Sequence, residues 1–161
     1  QLAAVLGVQE RVLGAEHSDT LTTRHSLAVW TGNAGDAVAA RDQLAAVLGV
    51  QERVLGAEHS DTLTTRHSLA VWTGGAGDAV AARDQLATLL LVRARVLGAE
   101  HPDTLSTRHS LAWSTGSAGD AVAARDQLAT LLLVRERVLG AEHPEILSTR
   151  RSLAVWTGNA G

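Results

Sequence analysis

From Asp36 onward the apolar residues fall at Ala37, Ala40, Leu44, Val47, Leu48 and Leu55. Steps of three and four residues place them on one face of a helix. The spacing predicts a helix over about 36–55, with Asp36 beside the positive end of its dipole and Gly56 closing it. A short link, Gly56–Ser60, follows. A second helix is predicted over about 61–73, with Leu63, Leu69, Ala70 and Trp72 as its apolar contacts. Ser60 or Asp61 can cap it, and Gly74 with the Gly75-Ala76-Gly77 turn ends it. No stretch shows the strict alternation of a strand, so the chain is expected to be all-helical.

This pattern is a 42-residue unit, and the whole chain repeats it. Residues 1–35 match 43–77 at 34 of 35 positions, and 78–119 match 36–77 at 32 of 42. Residues 120–161 match 78–119 at 35 of 42. A fixed period of this size marks a solenoid or array rather than one central core. Residues 1–161 are therefore expected to form a single repeat array of units 1–35 (partial), 36–77, 78–119 and 120–161. Copies one and two form one near-identical pair. Copies three and four form another, marked by Thr88, Leu91 and Arg93 and by Thr130, Leu133 and Arg135.

Composition sharpens the picture. Of 161 residues 45% are hydrophobic, but Ala, Leu, Val and four Trp supply nearly all of them, with no Phe, Tyr, Met or Cys. Small residues suit close-packed helices. All 14 basic residues are Arg, which with the Ala, Gly and Val excess suggests a GC-rich bacterial source. The net charge of -3 argues against nucleic acid, which wants a basic face. No run reaches a transmembrane length and no signal peptide is visible. Cytoplasm is the default location, and the lack of any Met suggests an internal piece of a longer protein.

Leu69-Ala70, Gly77-Asp78, Ala82 and Leu86 stand in a pattern that resembles the tetratricopeptide repeat. The phrase Val96-Leu97-Gly98-Ala99-Glu100-His101-Pro102-Asp103-Thr104-Leu105 resembles the kinesin-light-chain type of that family, common in large bacterial regulatory proteins. The resemblance implies a right-handed superhelical α-solenoid, with Ala70 and Ala82 where paired helices come closest. It departs from the family in its length, 42 residues rather than 34, with the extra placed in the long helix and the loop after it. Arg66 and Thr73 also stand where aromatics are usual. The shorter helix would line the concave face. By register that face would show Thr22, His25 and Val29; Thr64, His67 and Val71; Ser106, His109 and Trp113; and Ser148, Arg151 and Val155. Its expected occupant is a protein or peptide.

The seven histidines fall into two series. His17, His59, His101 and His143 recur in the loops, and His25, His67 and His109 recur on the shorter helix. Metal ligands must converge to within about 2.1 Å of one ion, whereas equivalent residues of stacked units lie roughly 10 Å apart. The loop series is read as structural, bonding backbone near the helix start; the helix series is either groove-lining or packed. His17-Ser18-Asp19 has the residue types of a hydrolytic triad, but neighbours in sequence cannot form the relay, and the serine becomes Pro102 and Pro144. No metal, cofactor or catalytic residue is expected, and the chain is read as no enzyme.

Trp30, Trp72 and Trp156 share one register, while copy three reads Leu-Ala-Trp113-Ser114. A one-residue step turns a side chain by about 100°. Trp113 is therefore either locally repacked or an aromatic anchor for a partner.

The first unit begins inside a long helix, seven residues short, and the last ends after a shorter helix. Uncapped repeat ends expose stacking surface, so head-to-tail self-association is expected. Gly7 and Gly49 sit inside the long helices of the first pair, each costing about 1 kcal/mol relative to alanine, and Leu91 and Leu133 remove this cost and add apolar surface. Hydrogen exchange is expected to be slower in 78–161 than in 1–77, and faster opening there would contradict it.

Overall fold

The computed structural model describes residues 1–161 as eight α-helices: α1 (Leu2–Val12), α2 (Ser18–Asn33), α3 (Ala37–Val54), α4 (Ser60–Gly75), α5 (Ala79–Val96), α6 (Pro102–Ser117), α7 (Ala121–Leu139) and α8 (Pro144–Asn159). They form two compact units, Gln1–Gly77 and Asp78–Gly161. In the first, α1 packs on α2, α2 on α3, α3 on α4, and α2 also meets α4. The second repeats this order with α5 to α8, α6 meeting α8.

The predicted long helix is Ala37–Val54, and its expected inner face is its real one. Ala40, Leu44 and Val47 are buried. Asp36 caps it, its side chain accepting from Ala39 N at 2.9 Å, and Asp78 and Asp120 do the same for α5 and α7. Gly56 follows at φ 96°, a left-handed conformation that favours glycine.

The second helix differs from expectation at both ends. It is capped by His59, whose Nδ1 accepts from Asp61 N at 3.2 Å, rather than by Ser60 or Asp61. His17, His101 and His143 cap α2, α6 and α8 in the same way. The loop histidines are thus structural, and position 60 becomes the first helical residue. Proline suits that place because the N–H it lacks would go unbonded in any helix, which explains Pro102 and Pro144. At the other end the helix runs on to Gly75, so it has 16 residues and the extra length of the unit is shared by both helices.

The helix passes through glycine because glycine there makes room. A Cβ on Gly32 would lie 2.5 Å from the Trp72 ring, and one on Gly116 would lie 2.6 Å from the Trp156 ring. Each indole of α4 or α8 rests on the bare backbone of the equivalent helix one repeat earlier. The true stops are Gly35, Gly77 and Gly119, all at positive φ.

The core of the second unit gathers Leu105, Ala112, Ala124, Leu128, Leu131 and Trp156. Polar side chains join the interior. Arg93 is buried, donating from Nη1 to Asp103 O at 3.1 Å and Thr107 Oγ1 at 2.8 Å. Arg135 donates to Thr149 Oγ1 at 2.6 Å and pairs with Glu145 at 3.3 Å. Gln51 holds this place in the first unit, with its Oε1 buried and unbonded.

Leu91 and Leu133 are 74% and 69% exposed, so the apolar surface they add is not buried. Their advantage over Gly49 is helix propensity alone. A Cβ at Gly49 meets nothing, so Gly49→Ala is expected to raise stability by about 1 kcal/mol. Gly116→Ala drives a methyl into the Trp156 ring and is expected to cost about 1–3 kcal/mol. Urea unfolding of both variants decides this, and a Gly116→Ala midpoint equal to wild type would mean that the ring needs no bare backbone beneath it.

Candidate interaction face

The face expected to bind a partner lies on α2 and α4 in one unit and on α6 and α8 in the other. Residues three and four apart share a helical side, so Thr22, His25 and Val29 form one stripe and Thr64, His67 and Val71 the next. Thr22, Thr64 and Val71 are exposed, while His25, His67 and Val29 are half-buried. In the second unit Ser106 and His109 are half-buried, and Trp113, Ser148, Arg151 and Val155 are exposed.

The stripes are joined through histidine. His25 Nε2 lies 3.0 Å from Ser68 Oγ on α4. His109 Nε2 lies 2.9 Å from Ser152 Oγ on α8. Each serine follows the next position in the histidine series, one residue beyond the repeat period. His25 and His109 are therefore tied between neighbouring helices. Burial pushes the His25 imidazole below its ordinary pKa, and the Asp61 carboxylate works against this. Burial lowers His109 too, helped by the Arg135 charge and opposed by Glu145.

Trp113 is 43% exposed and meets the Trp156 ring edge-on, with centroids 5.3 Å apart and planes at 72°. Trp156 fills the Gly116 seat, so the shifted residue is both packed on its neighbour and open to solvent. Trp113 stands at the register of Val29, Val71 and Val155.

Two shallow hollows lie among successive helices, one among α1, α2 and α3 and the other among α5, α6 and α7. One of about 240 Å³ is bounded by Leu6, Arg24, Leu27, Gln43, Ala46 and Val47. Its counterpart, of about 330 Å³, is bounded by Leu90, Arg108, Leu111, Asp126, Gln127 and Thr130. Arg24 is held by Glu10 at 2.7 Å, whereas Ala94 stands where that glutamate would face Arg108. No three histidines or carboxylates converge as metal ligands.

The family model of the tetratricopeptide repeat matches residues 20–61, 62–103 and 104–145. The chain belongs to the tetratricopeptide-repeat family. The matched frame opens in the shorter helix and runs through the tight turn into the long one. The expected class, an all-α solenoid of tetratricopeptide-like helix pairs, holds. A crystal structure of kinesin-light-chain-type, nearly identical TPR-like repeats from Podosopora anserina is 28% identical, with a TM-score of 0.77 over 98% of this chain and 74% of that one. A single-substitution variant of that protein scores 0.79 at the same identity and coverage. BtubC (BKLC) from P. vanneervenii is similar in fold, with a TM-score of 0.76 at 17% identity over 88% of this chain and 57% of that one. No curated protein matches.

Sequence reasoning missed Ser68, Ser152, Gly32 and Gly116. The signal for each was present in this tetratricopeptide chain as an offset from the repeat: 43 residues for the His–Ser pairs and 40 for the Trp–Gly pairs. The ordinary imidazole pKa is about 6.5, and both bonded histidines lie lower in the folded chain. The unfolded chain therefore takes up protons first as the pH falls. Their contribution to stability is complete above about 6.5 and is lost from there down through the folded value. Between about pH 7 and 5 the wild type is expected to lose thermal stability more steeply than a His25→Asn, His109→Asn double variant. Equal slopes would overturn this.

Proposed function

We propose that the chain is a protein-interaction scaffold that binds a protein or peptide along the short-helix face. The proposed contact residues are Thr22, His25, Val29, Thr64, His67, Val71, Ser106, His109, Trp113, Ser148, Arg151 and Val155. The observation that carries this reading is Trp113. It is a large aromatic at a position where the other copies hold valine, and it remains 43% exposed. Tryptophan is prominent among the few residues that dominate binding energy. Arg151, in place of the histidine of the other copies, gives the same face an exposed cation. Family membership supports a binding role in general. The reading places residues 1–161 as a single array within a larger bacterial regulatory protein in the cytoplasm, with no nucleic acid or membrane as partner. No helix is long and apolar enough to cross a membrane.

A second reading is head-to-tail self-association. It is favoured by the near-identity of the first two copies, residues 1–35 matching 43–77 at 34 of 35 positions. Light scattering at rising concentration tests it: the mass should climb in steps of one chain.

For the first reading, Trp113→Val restores the residue that three copies already carry, so it is expected to preserve folding. Peptides selected from a random library on the wild-type chain are expected to bind this variant at least about tenfold more weakly, the scale of a hot-spot residue. Undiminished binding would remove Trp113 from the site.

A further inference from the structure

We propose that the hollow among α5, α6 and α7 is a second docking site, which takes an acidic side chain of a partner's peptide segment onto Arg108. It lies apart from the stripe of Ser106, His109 and Trp113. Arg108 is one residue from His109, a turn of about 100° around the helix. The site goes beyond the scaffold reading and has no need of Trp113.

The repeat itself shows what this arginine binds. Arg24 donates from Nε and Nη2 to Glu10 at 3.2 and 2.7 Å. Arg66 does the same to Glu52 at 3.2 and 2.6 Å, and Arg150 Nη2 donates to Glu136 at 2.8 Å. In each pair the glutamate stands 14 residues earlier, on the preceding long helix. Arg108 is the remaining member of the series, and the residue at that offset is Ala94. Copies one, two and four thus satisfy the guanidinium with an internal carboxylate, and copy three lacks it.

The other carboxylates nearby are engaged. Asp126, which also lines the hollow, is held by Arg125 at 2.8 Å. Glu145 pairs with Arg135 at 3.3 Å. Burial lowers the Arg135 pKa, Glu145 opposes this, and the Arg108 charge adds to it. Arg108 therefore feels a like charge, which an arriving carboxylate would relieve.

The surroundings suit an acidic group with an apolar neighbour. Leu90 and Leu111 wall the hollow of about 330 Å³ beside the half-buried Arg108. On α5 the residues Ala87, Leu90, Leu91 and Ala94 follow the three-four spacing of one helical side. The other long helices break this apolar stripe with Glu10, Glu52 or Glu136. Leu91 on the stripe is 74% exposed. Arginine pairs with a carboxylate through short, directional, charge-assisted bonds, and apolar walls strengthen them by limiting water. In the first unit the equivalent hollow already holds Glu10 on Arg24, so only copy three leaves its arginine open to an outside carboxylate.

The test uses the full 161-residue chain and a displayed library of random peptides. Each peptide is joined to its carrier through its C-terminus, so that side chains supply the carboxylates. Ala94→Glu gives copy three the residue of the other copies and pairs Arg108 from within; Arg108→Gln removes the charge. Circular dichroism checks the fold of both. Peptides are selected on the wild type and depleted on Ala94→Glu. The survivors are expected to share an acidic residue with an apolar neighbour. They should bind Arg108→Gln at least about tenfold more weakly, the scale of one charge-assisted hydrogen bond, and bind Trp113→Val as they bind the wild type. Replacing the shared acidic residue by its amide should cause the same loss. A selection that leaves no peptides, survivors without a shared acidic residue, or undiminished binding to Arg108→Gln would overturn the site. Survivors that require Trp113 instead would overturn it too, and would leave the short-helix face standing.

Discussion

Close approach of helices without side chains between them is the constraint on which both units depend. The indole of Trp156 can lie on α6 only because Gly116 offers bare backbone, and Trp72 lies on α2 over Gly32 for the same reason. Ala28, Ala40, Ala112 and Ala124 are fully buried, leaving little between adjoining helices but methyl groups. Beside them Leu105, Leu128 and Leu131 gather into the buried cluster of the second unit. Dense packing of this kind transmits any added volume directly to its neighbours. A missing Cβ thus matters as much as a large ring.

Polar burial is the second theme. Thr20, Thr62 and Thr104 are fully buried with no partner for the hydroxyl, and copy four replaces them with Ile146. An unsatisfied buried hydroxyl is costly, so the isoleucine is the better-matched residue there. The replacement of Gln51 by Arg93 and Arg135 runs the other way. Each guanidinium is buried, and that burial pulls its pKa down. Each recovers part of the cost through bonds to a threonine hydroxyl and a helix carbonyl. Removing one partner of such a set is far worse than lacking the set.

Histidine serves two separate ends in the same repeat. In the loops Nδ1 accepts a backbone N–H and starts a helix, which requires that nitrogen to be unprotonated. On the shorter helices Nε2 reaches a serine of the following one and so ties two neighbouring stripes together. Neither use requires a metal or a reaction, and both recur because the unit recurs.

The architecture was legible in the chain alone. A 42-residue period, the three-four spacing from Ala37 to Val47 and the capping aspartates are local or strictly repeated, so helix type, order and inner face need no long-range contact to be read. The loop histidines were legible as structural groups bonding backbone near the helix start, although the cap itself was read as Ser60 or Asp61 and is His59. The contacts between helices were not legible, and they came from the fold. Gly74 reads as a stop in isolation, yet the equivalent Gly32 is a seat, because a ring 40 residues away needs the space. Leu91 reads as stabilising apolar surface, yet it faces solvent. From the sequence His25 is either groove-lining or packed, and a serine on the next helix holds it. In each case the residue's role is set by what packs against it, and pattern along one helix carries no record of the facing helix beyond the repeat that brings it there.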